Sequence, residues 1–87
     1  MSADSPLSTD GLQVKAKQAF DRFRGSQEAL ATILDIDRSA VSRAIRHTGM
    51  KHAAVQSRII SYVDGVPVQR QSTYMGSRVH HQWIIDP

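Results

Sequence analysis

Apolar residues recur at helical spacing through the first half of the chain. The first group that shares one helical face is Leu12, Ala16, Ala19, Phe20 and Phe23. Thr9 or Asp10 is suited to begin this helix as its N-cap, and Gly25 is suited to end it. The small polar residues at the start of the chain predict a flexible tail over residues 1–8.

Two further helices are predicted next, with a short turn between them. Ser26 is placed to cap the first of them, over residues 27–34, and the carboxylate of Asp37 is placed to cap the second. This second helix runs from residue 38 to about residue 47, where Thr48-Gly49 ends it. The apolar residues that form a single stripe along it are Ala40, Val41, Ala44 and Ile45.

Residues 51–64 fit two different structures. A helix is indicated by the spacing of Val55, Ile59, Tyr62 and Val63, and Gly65 is suited to follow its end. The run 58–63 is also rich in β-forming residues, and Asp64-Gly65 is a common hairpin turn. The longer helical spacing favours a helix to about residue 63.

In the last quarter of the chain, alternation of apolar and polar residues predicts a β-hairpin. One strand is predicted over residues 66–74 and another over residues 78–85, with a turn at residues 75–77. Its apolar side is supplied by Val68, Tyr74, Val79, Trp83 and Ile85. These residues either form an interface between two copies of the chain or cover the helical core, and the two roles are compatible.

The predicted fold class is therefore α+β, with an N-terminal helical bundle followed by a C-terminal β-hairpin. A length of 87 residues indicates one small domain, and the absence of cysteine excludes disulfides and thiolate metal sites. The net charge of +3 is unevenly distributed, because residues 38–58 carry five basic side chains and no acidic one. Such a stretch favours an acidic partner such as nucleic acid, although a solvated helix face has the same composition.

The segment from residue 27 to residue 46 resembles the helix-turn-helix of the phage Cro and CI-type repressors. The positions that match the pattern of this family are Gln27, Ala31, Ile36, Ser39-Ala40-Val41 and Ala44-Ile45. Where the family usually has glycine in the turn, this chain has Asp35, a residue type that tolerates a left-handed backbone. The resemblance covers about 20 residues, or residues 10–47 with the preceding helix, and it implies a second motif helix that lies in the major groove. The predicted helix-turn-helix DNA-binding domain spans residues 9–64.

The resemblance also implies a set of DNA contacts on and beside this helix. Gln27 matches the position that contacts a phosphate, and Arg38 and Arg43 are suited to guanine edges, or one of them to a phosphate. The full predicted DNA-binding set is Gln27, Arg38, Ser39, Ser42, Arg43, Arg46, Thr48 and Lys51.

From these residues we expect a sequence-specific regulator of transcription that binds double-stranded DNA. The expected form is a small dimeric repressor of phage or plasmid type, which occludes a promoter by binding a palindromic operator. Residues 65–87 are the predicted dimerisation element, and no cofactor is expected. The alternative is an antitoxin or another interaction module whose hairpin binds a different protein.

Other classes of protein are disfavoured by the sequence. No apolar run is long enough to span a bilayer, and the first residues lack a signal-peptide pattern, so we expect a cytoplasmic, nucleoid-associated protein. Neither a metal site nor catalysis is expected. His47 and His52 have poor spacing for one helical face, and the adjacent His80 and His81 point to opposite faces of a strand. No nucleophile elbow or glycine-rich phosphate loop occurs.

Overall fold

A computed structural model of the chain describes residues 6–85. The fold is α+β, as predicted, with four helices followed by a two-stranded antiparallel hairpin. In chain order the elements are α1 (Thr9–Phe23), α2 (Gln27–Leu34), α3 (Arg38–Arg46), α4 (Met50–Asp64), β1 (Val68–Met75) and β2 (Arg78–Ile85). Among the described residues, none of the helices combines the length and the apolar character that crossing a bilayer requires.

The ends of α1 differ by one residue from the prediction. Its N-cap is Ser8, whose hydroxyl accepts a hydrogen bond from the N–H of Gly11 at 3.2 Å, whereas the backbone of Thr9 is already helical. At the other end the left-handed residue is Arg24, with φ 61°, and not Gly25. Gly25 is tightly packed, because a Cβ at this position would lie 2.5 Å from the ring of Phe23 and the ring would have to shift.

The turn between α2 and α3 has the predicted left-handed residue. Asp35 has φ 58° and ψ 49°, and the next N–H, of Ile36, reaches the carbonyl of Ala31 at 3.0 Å. Ser26 caps α2 as predicted, at 3.0 Å from the N–H of Ala29. Asp37 occupies the N-cap position of α3, but its carboxylate makes no capping hydrogen bond, so that prediction was wrong.

Residues 50–64 are helical, which resolves the ambiguity in favour of a helix. The last turn of α4 ends at Gly65, which takes a left-handed φ of 67° as the residue after the helix. A bidentate pair between Arg22 and Asp64, with a shortest distance of 2.7 Å, joins the C-terminal ends of α1 and α4. The Asp64-Gly65 pair is therefore a helix end and not a hairpin turn.

All four helices contribute to one core, and β2 closes it. α1 packs mainly on α4, and α3 lies against the other three helices. The buried apolar residues are Leu12, Ala16, Ala19, Leu30, Ala31, Leu34, Val41, Ala44, Ile45, Ala53, Ile59, Ile60 and Trp83. Three members of the α3 stripe, Val41, Ala44 and Ile45, thus face inward, whereas Ala40 is only partly buried and the polar side of the helix faces solvent.

The hairpin has a tighter turn than predicted. β1 extends through Met75 and pairs there with Arg78, so that the turn consists of Gly76 and Ser77 alone, with Gly76 at φ 66°. A two-residue turn with a left-handed first position matches the twist of the strands. β1 also begins at Val68 and not at residue 66.

The outer edge of β2 is joined by the segment that precedes α1. Leu7 and Trp83 exchange two backbone hydrogen bonds, at 2.8 and 2.9 Å, and the side chain of Leu7 packs against the core. Ser8 caps α1 at the same place. The predicted flexible tail over residues 1–8 is therefore wrong for Leu7 and Ser8, and residues 1–5 lie outside the described part of the chain.

Candidate nucleic-acid interface

Six of the eight predicted DNA-binding residues line one shallow depression on the surface. This depression follows the exposed face of α3 and the start of α2, and its lining residues are Gln27, Arg38, Ser39, Ser42, Arg43 and Arg46. The arrangement follows from the buried stripe of α3, because packing Val41, Ala44 and Ile45 inward leaves the other side of the helix free. All six side chains come from the 20 residues between Gln27 and Arg46, and they lie on one surface.

The other two predicted residues lie in a second, larger depression beside the first. It is formed where the end of α3 meets the start of α4, and its lining residues are Ala40, Arg43, His47, Thr48, Lys51, His52 and Val55. Arg43 borders both depressions and makes the surface continuous. We call the two depressions together the basic face.

The cationic groups of the basic face are available to a ligand. Within residues 6–85, no hydrogen bond or salt bridge engages the side chains of Arg38, Arg43, Arg46 or Lys51, and no acidic side chain lines either depression. Arg58, the fifth member of the basic stretch, is used differently, because its guanidinium donates to the carbonyl of Leu34 at the end of α2.

Thr48 lines the basic face, but its hydroxyl proton is not free to bind a phosphate. Its hydroxyl donates a hydrogen bond of 2.8 Å to a carboxylate oxygen of Asp10 on α1. A phosphate requires a donor, and the single hydroxyl proton of Thr48 is already used. In this structure Thr48 connects the loop after α3 to α1.

Comparison of the chain with models of protein families, with curated proteins and with solved structures finds no match.

Two side-chain amides hold the C-terminal end of α3 in place. Gln56 of α4 is fully buried, and its Nε2 donates to the carbonyls of Ala44 and His47 at 2.9 and 2.8 Å. Gln13 of α1 donates to the carbonyl of Ile45 at 2.6 Å. These carbonyls have no partner within their own helix. Neither residue was predicted from the sequence. The available signal was Gln56, a polar side chain three residues from both Ala53 and Ile59 in the buried stripe of α4.

His47 and His52 lie side by side, which the sequence analysis did not predict. Their ring centroids are 5.9 Å apart, because α3 ends before His47 and the chain reverses into α4. Helical spacing does not apply across that break. The pKa of His52 is lowered by burial and by the positive charges of Lys51, His47 and Arg43. Within residues 6–85, no three side chains of the metal-binding types come together.

The predicted dimerisation residues divide into two groups along the hairpin. Trp83 is only 2% exposed, and Val68 and Ile85 pack against the core. Tyr74 and Val79 are paired across the strands near the turn and are 76% and 46% exposed. The half of the apolar side that is far from the hairpin turn therefore covers the helices, and the half next to the turn is exposed to solvent.

Proposed function

We propose that this protein is a sequence-specific regulator of transcription that binds double-stranded DNA through α2, the turn and α3. The observation that carries the proposal is the exposed side of α3, where the arginines have no partner among residues 6–85 and lie beside Gln27. No described acidic side chain lines this surface. A helix of this width fits the major groove of B-DNA. The same unit resembles the Cro and CI-type repressors in sequence.

Each part of the basic face has a role in this proposal. α3 lies in the major groove, where Arg38 and Arg43 reach the O6 and N7 atoms of guanine and the hydroxyl groups of Ser39 and Ser42 reach nearby bases or phosphates. Gln27 and the first N–H groups of α2 hold a phosphate. Arg46 and Lys51 add attraction that depends on salt and not on sequence.

We propose that the protein binds DNA as a dimer, because a single copy contacts only a small area of DNA. One module of this kind covers a limited area of DNA, and a second copy doubles it and selects a palindromic operator. The exposed pair of Tyr74 and Val79 is the proposed contact between the copies, and repression results from occlusion of the promoter. Such a protein acts in the cytoplasm, on the nucleoid.

The decisive experiment for the proposed function is selection of bound duplexes from a random DNA pool. We expect a symmetric consensus with half-sites about one helical turn apart. Fluorescence anisotropy with the selected duplex then gives the dissociation constant, which rises steeply with salt if phosphates are contacted. No enrichment, or binding that salt does not weaken, contradicts the proposal.

Replacing Arg43 by alanine is expected to weaken binding to the selected duplex by about 1–3 kcal/mol, because Arg43 borders both depressions of the basic face. Anisotropy against duplexes substituted at single base pairs measures the effect. If Arg43 reads a base, preference at one base pair is relaxed, and a uniform loss on all duplexes assigns it to a phosphate instead.

Lys15→Ala is the matched control for Arg43→Ala. It removes one positive charge from an exposed position of α1 that lines neither depression. We expect it to change affinity by less than about threefold, through the net charge alone. Equal losses in the two variants would show that binding depends on total charge and not on the basic face.

Replacing Tyr74 and Val79 together by lysine is expected to raise the dissociation constant of the dimer about tenfold or more, because it places charges in an apolar contact. Sedimentation velocity over a range of concentrations measures the change. Thr73→Lys is the control, since the adjacent residue of a strand faces the other side. A dimer that persists in the double variant places the interface elsewhere.

The exposed end of the hairpin also favours a second candidate function, an antitoxin or another module that binds a different protein. All residues from 71 to 80 are exposed, including the large apolar side chains of Tyr74 and Met75. Size-exclusion chromatography of the chain alone and with a candidate partner separates the two cases, because a purely homodimeric hairpin leaves no surface for that partner.

A further inference from the structure

The larger depression of the basic face contains a cluster of side chains that the helix-turn-helix pattern does not explain. Here His47 and His52 lie with their ring centroids 5.9 Å apart, between Arg43 of α3 and Lys51 of α4. The depression is open to solvent and continuous with the surface assigned to the major groove. Two imidazole rings and two permanently charged side chains thus line the same depression.

The backbone around this cluster is held on both sides. The carbonyl of His47 accepts from the buried amide of Gln56 at 2.8 Å, and the hydroxyl of Thr48 donates to Asp10 at 2.8 Å. Because these bonds come from α4 and α1, they fix the loop against two separate helices. The backbone of His47 is therefore held against α4, the helix that carries His52, before any ligand binds.

The charges that face the cluster are almost all positive. α3 contributes Arg43, and α4 contributes Lys51 next to His52 itself. α1 contributes a carboxylate next to the loop, that of Asp10, whose Oδ1 accepts from the hydroxyl of Thr48. Four nitrogen-bearing side chains around one open depression match an anion with several acceptor oxygens, since a protonated imidazole donates from both ring nitrogens.

We propose that this depression is a phosphate subsite in which His47 and His52 bind a backbone phosphate of the DNA strand that flanks the groove. The assignment rests on the proposed function, because that places α3 in the major groove and the adjacent strand beside the end of α3. It adds two histidines to the DNA-binding residues and gives Arg43 and Lys51 a shared ligand.

The subsite couples DNA binding to the uptake of protons. In the free protein, burial and the charges of Lys51, His47 and Arg43 lower the pKa of His52, so its ring is neutral near pH 7. A bound phosphate stabilises the protonated ring and raises this pKa. The added affinity is therefore fully present below the pKa of the free protein and is lost as pH rises through the pKa of the complex.

The test is the dissociation constant of the selected duplex between about pH 8 and about pH 6, at constant ionic strength. For the wild type we expect binding to tighten by about three- to tenfold toward the lower pH. The variant with both His47→Gln and His52→Gln is expected to lose most of this dependence, while its base preference is unchanged. The variant with His80→Gln and His81→Gln, on the exposed hairpin, is the matched control and keeps the wild-type dependence.

A double variant of His47 and His52 that binds DNA with the same pH dependence as the wild type overturns the subsite and leaves the proposed function intact. The complementary measurement is NMR of the histidine rings of the wild-type protein during titration with inorganic phosphate. We expect the resonances of His47 and His52 to shift together, whereas those of His80 and His81 stay in place. Shifts with inorganic phosphate but no pH-linked DNA binding assign the site to a free phosphate, which also overturns the proposal. If no DNA is bound at all, the proposed function fails separately.

Discussion

Replacing Trp83 by alanine is expected to lower the free energy of unfolding by about 3–5 kcal/mol. The side chain is 2% exposed and belongs to the same core as residues from all four helices. It is also the point where the segment before α1 is hydrogen-bonded to β2. A chain of this size has a total stability of roughly 5–15 kcal/mol, so the variant loses a large share of it. Urea denaturation followed by far-UV circular dichroism measures the change.

Tyr74→Ala is the control for Trp83→Ala, because it removes an aromatic side chain from the same hairpin. Tyr74 is 76% exposed, and at protein concentrations where the chain is monomeric its loss is expected to cost less than about 0.5 kcal/mol. Similar costs in the two variants would mean that the hairpin does not anchor on the helices through Trp83. The comparison also separates the packing of the hairpin on the helices from the proposed dimer contact, which includes Tyr74 but not Trp83.

Trp83 shows what strand periodicity can and cannot predict. Alternation correctly placed five apolar residues on the apolar side of the hairpin, because successive side chains point to opposite faces. It says nothing about how far along the strands the core extends. That limit is set by the helices beneath, which cover Val68 and Ile85 and leave Tyr74 and Val79 in solvent.

The ends of the helices were predicted to within a few residues, and the errors have local causes. Ser8, Thr9 and Asp10 are all good N-caps, and only packing selects Ser8 among them. Glycine is the usual left-handed residue at a helix end, but here Arg24 takes that conformation, and Gly25 follows it with its Cα close to the ring of Phe23. Both choices depend on neighbours in space.

The sequence could predict which site residues share a surface only where those residues are close together in the chain. Residues 38–46 lie on one short helix, so their common surface follows from helical geometry and the buried stripe. The approach of His47 to His52 depends on the break between α3 and α4. The engagement of Thr48 by Asp10 depends on a contact 38 residues away, which no local pattern shows.

The geometry of the basic face depends on how α3 is held as well as on its own sequence. Its last carbonyls accept from Gln13 on α1 and from Gln56 on α4. The exposed face therefore has a fixed orientation relative to the core, and the proposed contacts to DNA would cost little ordering of the backbone. A change at Gln56 is expected to affect both stability and DNA binding, although Gln56 itself is buried.

Replacing Gln56 by leucine is expected to lower the free energy of unfolding by about 2–4 kcal/mol. Leucine has a similar volume but no donor, so the carbonyls of Ala44 and His47 lose their partners, at about 1–3 kcal/mol for each buried group. The net loss of stability is smaller than the sum of these costs, because leucine also removes the buried Oε1 of Gln56, which has no donor among the described residues. Urea denaturation measures the effect, and Gln18→Leu on the exposed side of α1 is the control, with an expected change within about 0.5 kcal/mol. We also expect the folded Gln56→Leu protein to bind DNA more weakly. An unchanged free energy of unfolding would show that these two hydrogen bonds do not hold α3.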